Sequence, residues 1–422
     1  MKTGTERFLP IGVYVLAFSL FAMGSAEFLL AGILPAVAQD IDVDLAAAGG
    51  LITAFAVGVV IGGPPFAVLS LRWPRRAALI VTQLAFAASI AAGIVAGTYP
   101  ALLVSRFVAG LAYAGFFAVA AVTAVGLVAS DRAARASGVV VSGLSLAMIL
   151  GGPAGTFLGY QIGWASGFWL VVTLTVMGAA TTAFVLPRTT AATEPSIRRE
   201  LDAMRQPRLW LILLVTMLST AAYMISFSYL SELLRSISRV PDAWIAAVLV
   251  LFGVGAWAGL TIGGRISDRR PHLALVTGAV GIAASSVLIA VFAAHPLIVV
   301  PLVLVLGVFG FVLNPALYGR VFRIAGDAPT LAGATTVSAF QLGIGIIPVL
   351  AAVVLEQGLP ITAAVWIGAG IAVLTIPLIV IDARLGSGGR EDGERQSVSA
   401  RVLPGRPSGD SAYRQDRRGS HR

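Results

Sequence analysis

Twelve stretches of this 422-residue chain are apolar for long enough to cross the roughly 30 Å of a bilayer's hydrocarbon. They cover residues 9–36, 46–71, 77–97, 99–129, 136–161, 164–187, 209–233, 243–267, 272–293, 296–319, 331–355 and 360–382. Hydrocarbon offers no hydrogen bonds, so each stretch must satisfy its own backbone, and helices do this within one segment. The expected fold is therefore an all-α membrane protein of twelve transmembrane helices. Charged residues make up only 12% of the chain, about half of what a soluble chain carries. The first stretch is too long, and lacks the small-residue cleavage pattern, to be a removable signal peptide.

The charges then orient the spans. One set of connections holds Lys2 and Arg7, then Arg72, Arg75 and Arg76, then Arg132 and Arg135, then Arg188 to Arg208, then Arg265, Arg269 and Arg270, then Arg320 and Arg323. The opposite set holds only Arg235 and Arg239 as cations, beside Asp40, Asp42 and Asp44. Positive-inside bias places both termini in the cytoplasm of a multi-pass plasma-membrane protein. The high isoelectric point, near 10.6, thus reflects topology and lipid anchoring, with gating as the alternative for each cluster, and not nucleic-acid binding. The polar segment 188–208 reads as a cytoplasmic linker between six-helix bundles at 1–187 and 209–382. Residues 383–422 read as a disordered tail.

The halves echo each other: Gly58–Arg72 matches Gly255–Arg269 at an offset of 197 positions. Internal repetition of six spans is the mark of a transporter built from two pseudo-symmetric bundles. Small residues recur every fourth position in span five (Gly143, Ala147, Gly151, Gly155, Gly159), in span two (Gly50, Ala54, Gly58, Gly62) and in span eight (Gly255, Gly259, Gly263). A weaker ladder, Ala339, Gly343, then Ile347, then Ala351, marks span eleven. Such faces admit a second backbone at close range. Two readings stand: packing within a bundle, or a seam along which the bundles slide. Pro153, beside Gly152, kinks the span-five ladder.

Particular motifs carry a resemblance. Gly143-Leu-Ser-Leu-Ala147 through Gly151-Gly-Pro153-Ala-Gly155, Arg106-Phe-Val-Ala-Gly110, and Glu27-Phe28 with Leu34-Pro35 resemble motifs of the major facilitator superfamily, within it the twelve-span drug:proton antiporters. Ser70-Leu71-Arg72-Trp73-Pro74-Arg75-Arg76 resembles the family's gate loop, except that Leu71 stands where most members carry aspartate. The second copy, Gly264 to Pro271, keeps that carboxylate as Asp268, followed by Arg269 and Arg270. The wording of this loop and of span one is most similar to the actinobacterial chloramphenicol-efflux branch. The resemblance implies alternating access, export of small amphipathic drugs such as chloramphenicol in exchange for protons, a monomer, and a mating of span five with span eight and span two with span eleven. It predicts that Gly151 or Gly155 packs on span eight.

Two ionisable residues lie well inside apolar spans: Glu27 and Arg106. Each costs about 3 kcal/mol or more in the membrane, so each demands a partner or a function. Counted from the expected span ends, both sit roughly 10–14 Å below the far surface, a similar depth. Glu27 is the candidate proton carrier or substrate contact, tuned by Arg106; the alternative is a static pair fixing span one to span four. Apolar and aromatic walls with a few polar groups suit a drug. The candidates are Phe18, Phe21, Met23, Tyr113, Phe116, Tyr223, Met224, Phe227, Asn314 and Gln341, each of which could instead serve packing or face lipid. Cysteine is absent, and no His-x-x-x-His, Gly-x-Ser-x-Gly or phosphate-loop spacing occurs, so no catalytic residue, metal or cofactor is expected. A metabolite exporter of the same superfamily is the alternative. A membrane-embedded enzyme or a receptor is the alternative from another class.

Overall fold

The computed structural model describes residues 9–69, 73–129, 132–187, 202, 204–326 and 329–401. The chain is compact up to Ile379, with a second unit from Val380 on. Among the described residues, twelve helices are long and apolar enough to cross a membrane: Ile11–Asp40, Leu45–Phe66, Arg75–Ala96, Tyr99–Gly126, Arg135–Ile162, Trp164–Val185, Pro207–Ser236, Asp242–Arg269, Pro271–Val291, Pro296–Ala325, Leu331–Val353 and Thr362–Leu385. These are spans one to twelve, and they match the expected windows to within a few residues at most ends. Span one runs four residues further, to Asp40, and span ten six further, past 319 to Ala325. The final helix, Thr362–Arg401, continues beyond residue 382, where the tail is expected to begin.

Several spans are interrupted, most of them at prolines, and one freed carbonyl has a traceable partner. Pro35 lies inside span one and has no N–H for the carbonyl of Ala31; the Ser231 hydroxyl of span seven donates to that carbonyl at 3.0 Å. In span five, Pro153 follows a π turn at Ala147–Gly151 that joins Ala133–Leu146 to Gly152–Ile162. The turn carries Ile149, the residue four before the proline, towards span eight. Span seven is interrupted at Tyr229, between Pro207–Ser228 and Leu230–Ser236. Span ten breaks at Leu313, two residues before Pro315, which has no N–H for the carbonyl of Phe311.

The sequence repeat is also a repeat of contacts. A Cβ on Gly58 would strike the carbonyl of Phe107, and one on Gly255 that of Leu304. Conversely, Gly110 meets the carbonyl of Phe55 and Gly307 that of Phe252. All four members are offset by the same 197 positions. Spans five and eleven repeat too, at an offset of 200: Gly143 meets the carbonyl of Ala17, and Gly343 that of Met217. Spans one and seven, equivalent in the two halves, are the most buried, at 67% and 72% of their windows. Large apolar side chains such as Phe184, Trp257 and Leu297 stay exposed, as lipid-facing residues do. Buried hydroxyls on Thr216, Ser219, Thr220 and Thr336 donate to carbonyls four residues back.

The ladders of small residues do not form the seam. Span two's ladder packs on span four, span eight's on span ten, and Gly343 on span seven. In span five, Gly151 meets Ser25, Gly155 meets Leu29 and Gly159 meets Ile33, all of span one. The expected packing of Gly151 or Gly155 on span eight is therefore incorrect: a glycine ladder lets neighbours within one half approach, and that is how each half closes on itself. The pairing of spans holds, through other residues. Gly253 of span eight receives the backbone of Ile149, at 2.7 Å from a Cβ built there. Between spans two and eleven, the Thr53 hydroxyl donates to the Gly345 carbonyl at 2.9 Å, and Gly345 faces Ala56.

Candidate functional site

Glu27 sits at the middle of span one, partly buried, with its carboxylate among other helices. One oxygen, Oε2, accepts a hydrogen bond from Gln341 Nε2 of span eleven at 3.4 Å, so the bond joins the two halves. The other, Oε1, is buried without a hydrogen-bond partner. Arg106 of span four is buried as well. Its Nε donates to the Leu51 carbonyl at 3.5 Å, and its guanidinium lies 4.6 Å from the Phe55 ring centre and 5.9 Å from that of Phe168. Its Nη1 has no partner. These stackings fix a planar cation between rings.

Among the described residues no ion pair joins Glu27 and Arg106, although each charge acts on the other. Arg106 is instead engaged by span two and span six. Glu27 is thirteen residues from Asp40, about 20 Å along the helix, while Arg106 is seven from Tyr99, about 10 Å. Glu27 is thus further from the end of its helix than the expected window implies.

Around the carboxylate the structure gathers side chains from both halves. Tyr113 and Tyr223 both lie within electrostatic reach of Glu27, and Tyr318 lies near both tyrosines. The Tyr223 hydroxyl faces Thr220 and Asn314. Asn314 Oδ1 and Gln341 Oε1 are buried without partners. Aromatic rings continue from this point: Tyr223 to Phe311 at 5.2 Å, Phe311 to Phe252 at 6.2 Å, Phe252 stacked on Phe227 at 4.2 Å, and Phe227 edge-on to Phe28 at 6.4 Å. Met224 is buried beside them in sequence.

Other candidates lie apart. Phe18 and Phe21 pair with each other at 6.2 Å, and Phe21 also lines Gly151. Met23 and Phe116 are fully buried in the packed core. Arg75 covers Gly126 at the end of span four, and Arg76 donates to the Ala183 carbonyl of span six. Asp268, Arg269 and Arg270 are exposed. Arg72 and Leu71 lie outside the described residues, as does most of the segment 188–208.

Sequence reasoning missed Tyr318, Phe55, Phe168, Phe252 and Phe311. Tyr318 had a signal, one helical turn beyond Asn314. Phe55 and Phe252 had another, since they occupy equivalent places in the repeat. Arg320 and Asp382 are also buried within spans, against the expectation that only two ionisable residues are. Span ten continues through Arg320, which the expected boundary placed in a loop.

Away from the carboxylate, on the side where span one ends, further contacts cross between the halves. The Arg235 guanidinium lies 5.3 Å from the Tyr160 ring centre while forming a two-pronged ion pair with Asp242, at 2.9 and 3.0 Å. Within the first half, the Tyr160 hydroxyl donates to the Gly32 carbonyl at 3.2 Å. Tyr229 places its hydroxyl beside Gly49 and Pro348.

A carboxylate bridging two repeated halves, within aromatic walls, is an arrangement for moving a solute between sides rather than for making or breaking bonds. The comparisons with known proteins agree. The model of the Major Facilitator Superfamily matches residues 16–348. A chloramphenicol resistance protein of Streptomyces lividans is 40% identical over 82% of this chain and 90% of its own length. The inner membrane transport protein YdhP of Escherichia coli K12 is 32% identical over 87% of this chain and 95% of its own. Among solved structures, a bacterial homologue of the human lysosomal transporter Spinster superposes with a TM-score of 0.67 at 16% identity, covering 90% of this chain and 96% of that one. The chain is a multi-pass transporter and belongs to the Major Facilitator Superfamily.

Proposed function

We propose that this transporter exports small, neutral, amphipathic drugs, chloramphenicol foremost, from the cytoplasm in exchange for protons. The observation that carries this reading is the Glu27 carboxylate, held across the two halves by Gln341, with Tyr113 and Tyr223 in reach and a ring series running from Tyr223 through Phe311 to Phe28. Flat rings and few charges suit an aromatic, uncharged guest. A carboxylate whose surroundings change as two halves separate binds a proton in one arrangement and releases it in the other. Support for the substrate comes from the Streptomyces lividans relative, whose name records chloramphenicol resistance.

In this reading the bundles 1–187 and 209–382 rock about the seam as two bodies joined by the linker. The protein acts as a monomer in the plasma membrane, with both termini cytoplasmic. The arginine-rich side, where span one begins, faces the cytoplasm. The contacts made by Ser231, Arg235 and Tyr229 then close the outer side, and they must break when the drug leaves.

The test is drug susceptibility in a sensitive host expressing the chain, with and without a protonophore. Protection against chloramphenicol that the protonophore removes supports the reading. No protection overturns the substrate, and protection indifferent to the protonophore overturns proton coupling.

A further inference from the structure

Among the described residues near Glu27, four buried polar atoms lack hydrogen-bond partners and three of them accept: Glu27 Oε1, Gln341 Oε1 and Asn314 Oδ1, against the donor Arg106 Nη1. Gln341 creates this imbalance. Its Nε2 is turned to Glu27 Oε2, which leaves its own oxygen facing away from that bond and unsatisfied. A buried acceptor without a donor is costly, so the site as it stands suits a guest rich in hydroxyl or amide N–H groups.

A proton on Glu27 reverses the situation. The carboxylic acid becomes a donor, and its natural acceptor is Gln341 Oε1, reached by turning the amide through half a revolution. Glu27 and Gln341 then satisfy each other, and the amide presents N–H groups where it had presented an oxygen. The acceptors that would hold a donor-rich guest are withdrawn together. The titratable groups facing Glu27 are Arg106 and Tyr113 of span four and Tyr223 of span seven, with Tyr318 behind the tyrosines. Arg106 is held by the Leu51 carbonyl and two rings; Gln341 is the neighbour that can change which end it offers.

We infer that Gln341 is a positioning residue that makes drug and proton mutually exclusive, by offering its oxygen to the drug when Glu27 is ionised and to Glu27 when it is protonated. This rests on the reading of the chain as a proton-coupled drug exporter.

The experiment is equilibrium binding of radiolabelled chloramphenicol, which carries two hydroxyls and an amide N–H, to the purified full-length protein between pH 5 and 9. The wild type binds more weakly as the pH falls. Gln341→Met binds about tenfold more weakly at alkaline pH, the loss of one buried hydrogen bond, and its affinity changes less with pH. Gln341→Glu, nearly the same size, places two carboxylates side by side, and such a pair keeps a shared proton to higher pH. Its binding midpoint therefore moves up by about one unit or more. A purely structural role would not move that midpoint. Gln341→Glu protein with the wild-type midpoint and affinity overturns this inference alone. Wild-type protein that binds no chloramphenicol at any pH overturns the drug reading and this inference with it.

Discussion

The hydroxyl of Ser231 donates to the carbonyl of Ala31 at 3.0 Å, and it does so because Pro35 has left that carbonyl without an intrahelical donor. Removing the hydroxyl strands a buried acceptor, which costs about 1–3 kcal/mol, and the loss falls on the arrangement in which spans one and seven touch. Ser231→Ala should therefore loosen that arrangement, seen as faster labelling of a cysteine placed at Gly49. Pro35→Ala restores an N–H for Ala31, so in that background Ser231→Ala should have little further effect. Equal effects of Ser231→Ala in both backgrounds would refute the account of the bond.

The span-five glycines should rank by what they touch, not by their place in the motif. Gly143 faces the backbone carbonyl of Ala17, which cannot yield without moving span one. Gly151 faces the Ser25 hydroxyl, itself bonded to the Phe21 carbonyl at 2.6 Å. Gly155 faces the methyl of Leu29, at 2.8 Å from an added Cβ, and that is the end of a flexible side chain. Alanine should destabilise most at Gly143, by about 1–3 kcal/mol, less at Gly151 and least at Gly155. Melting temperatures of the three purified variants test the order, and a Gly155→Ala protein less stable than Gly143→Ala contradicts it.

The twelve spans and the twofold repeat were legible because hydropathy and residue spacing are local properties. The partners of the glycine faces were not. A face of small residues says that a backbone comes close and leaves open whose, and the neighbour at Gly151 proved to be Ser25 of the same half. The seam lies instead at Gly253 with Ile149, a pair that only the π turn before Pro153 brings together. Glu27 and Arg106 stood out in sequence as charges in apolar surroundings. Gln341 drew notice only as a polar residue, because the bond from Gln341 to Glu27 crosses 314 positions of chain.

The repeat makes a paired prediction. Gly58 and Gly255 face backbone carbonyls on spans four and ten, in equivalent places. Gly58→Ala and Gly255→Ala should lower the yield of folded protein to a similar degree. Gly264 and Gly319 have open space where a Cβ would go, so alanine at either should be neutral, or slightly stabilising through better helix propensity. Fluorescence-detected gel filtration of the four variants settles the contrast, and a Gly319→Ala protein as impaired as Gly58→Ala would defeat it.

Arg106 should not be replaceable by lysine. Its guanidinium lies over Phe55 and near Phe168 while Nε reaches the Leu51 carbonyl, and this combination needs a flat group with donors along its edge. An ammonium keeps the charge but stacks poorly and draws water to itself. If Arg106 only balanced the charge of Glu27, Arg106→Lys would retain transport. If the planar contacts hold span four against span two, Arg106→Lys should lose drug export by about tenfold or more, while Glu27→Gln, which removes the titrating group, should lose proton-driven export and leave only a residual flux that no longer varies with pH. Proteoliposome flux at several pH values distinguishes the two, and an Arg106→Lys protein with wild-type export would show that charge alone is what the position requires.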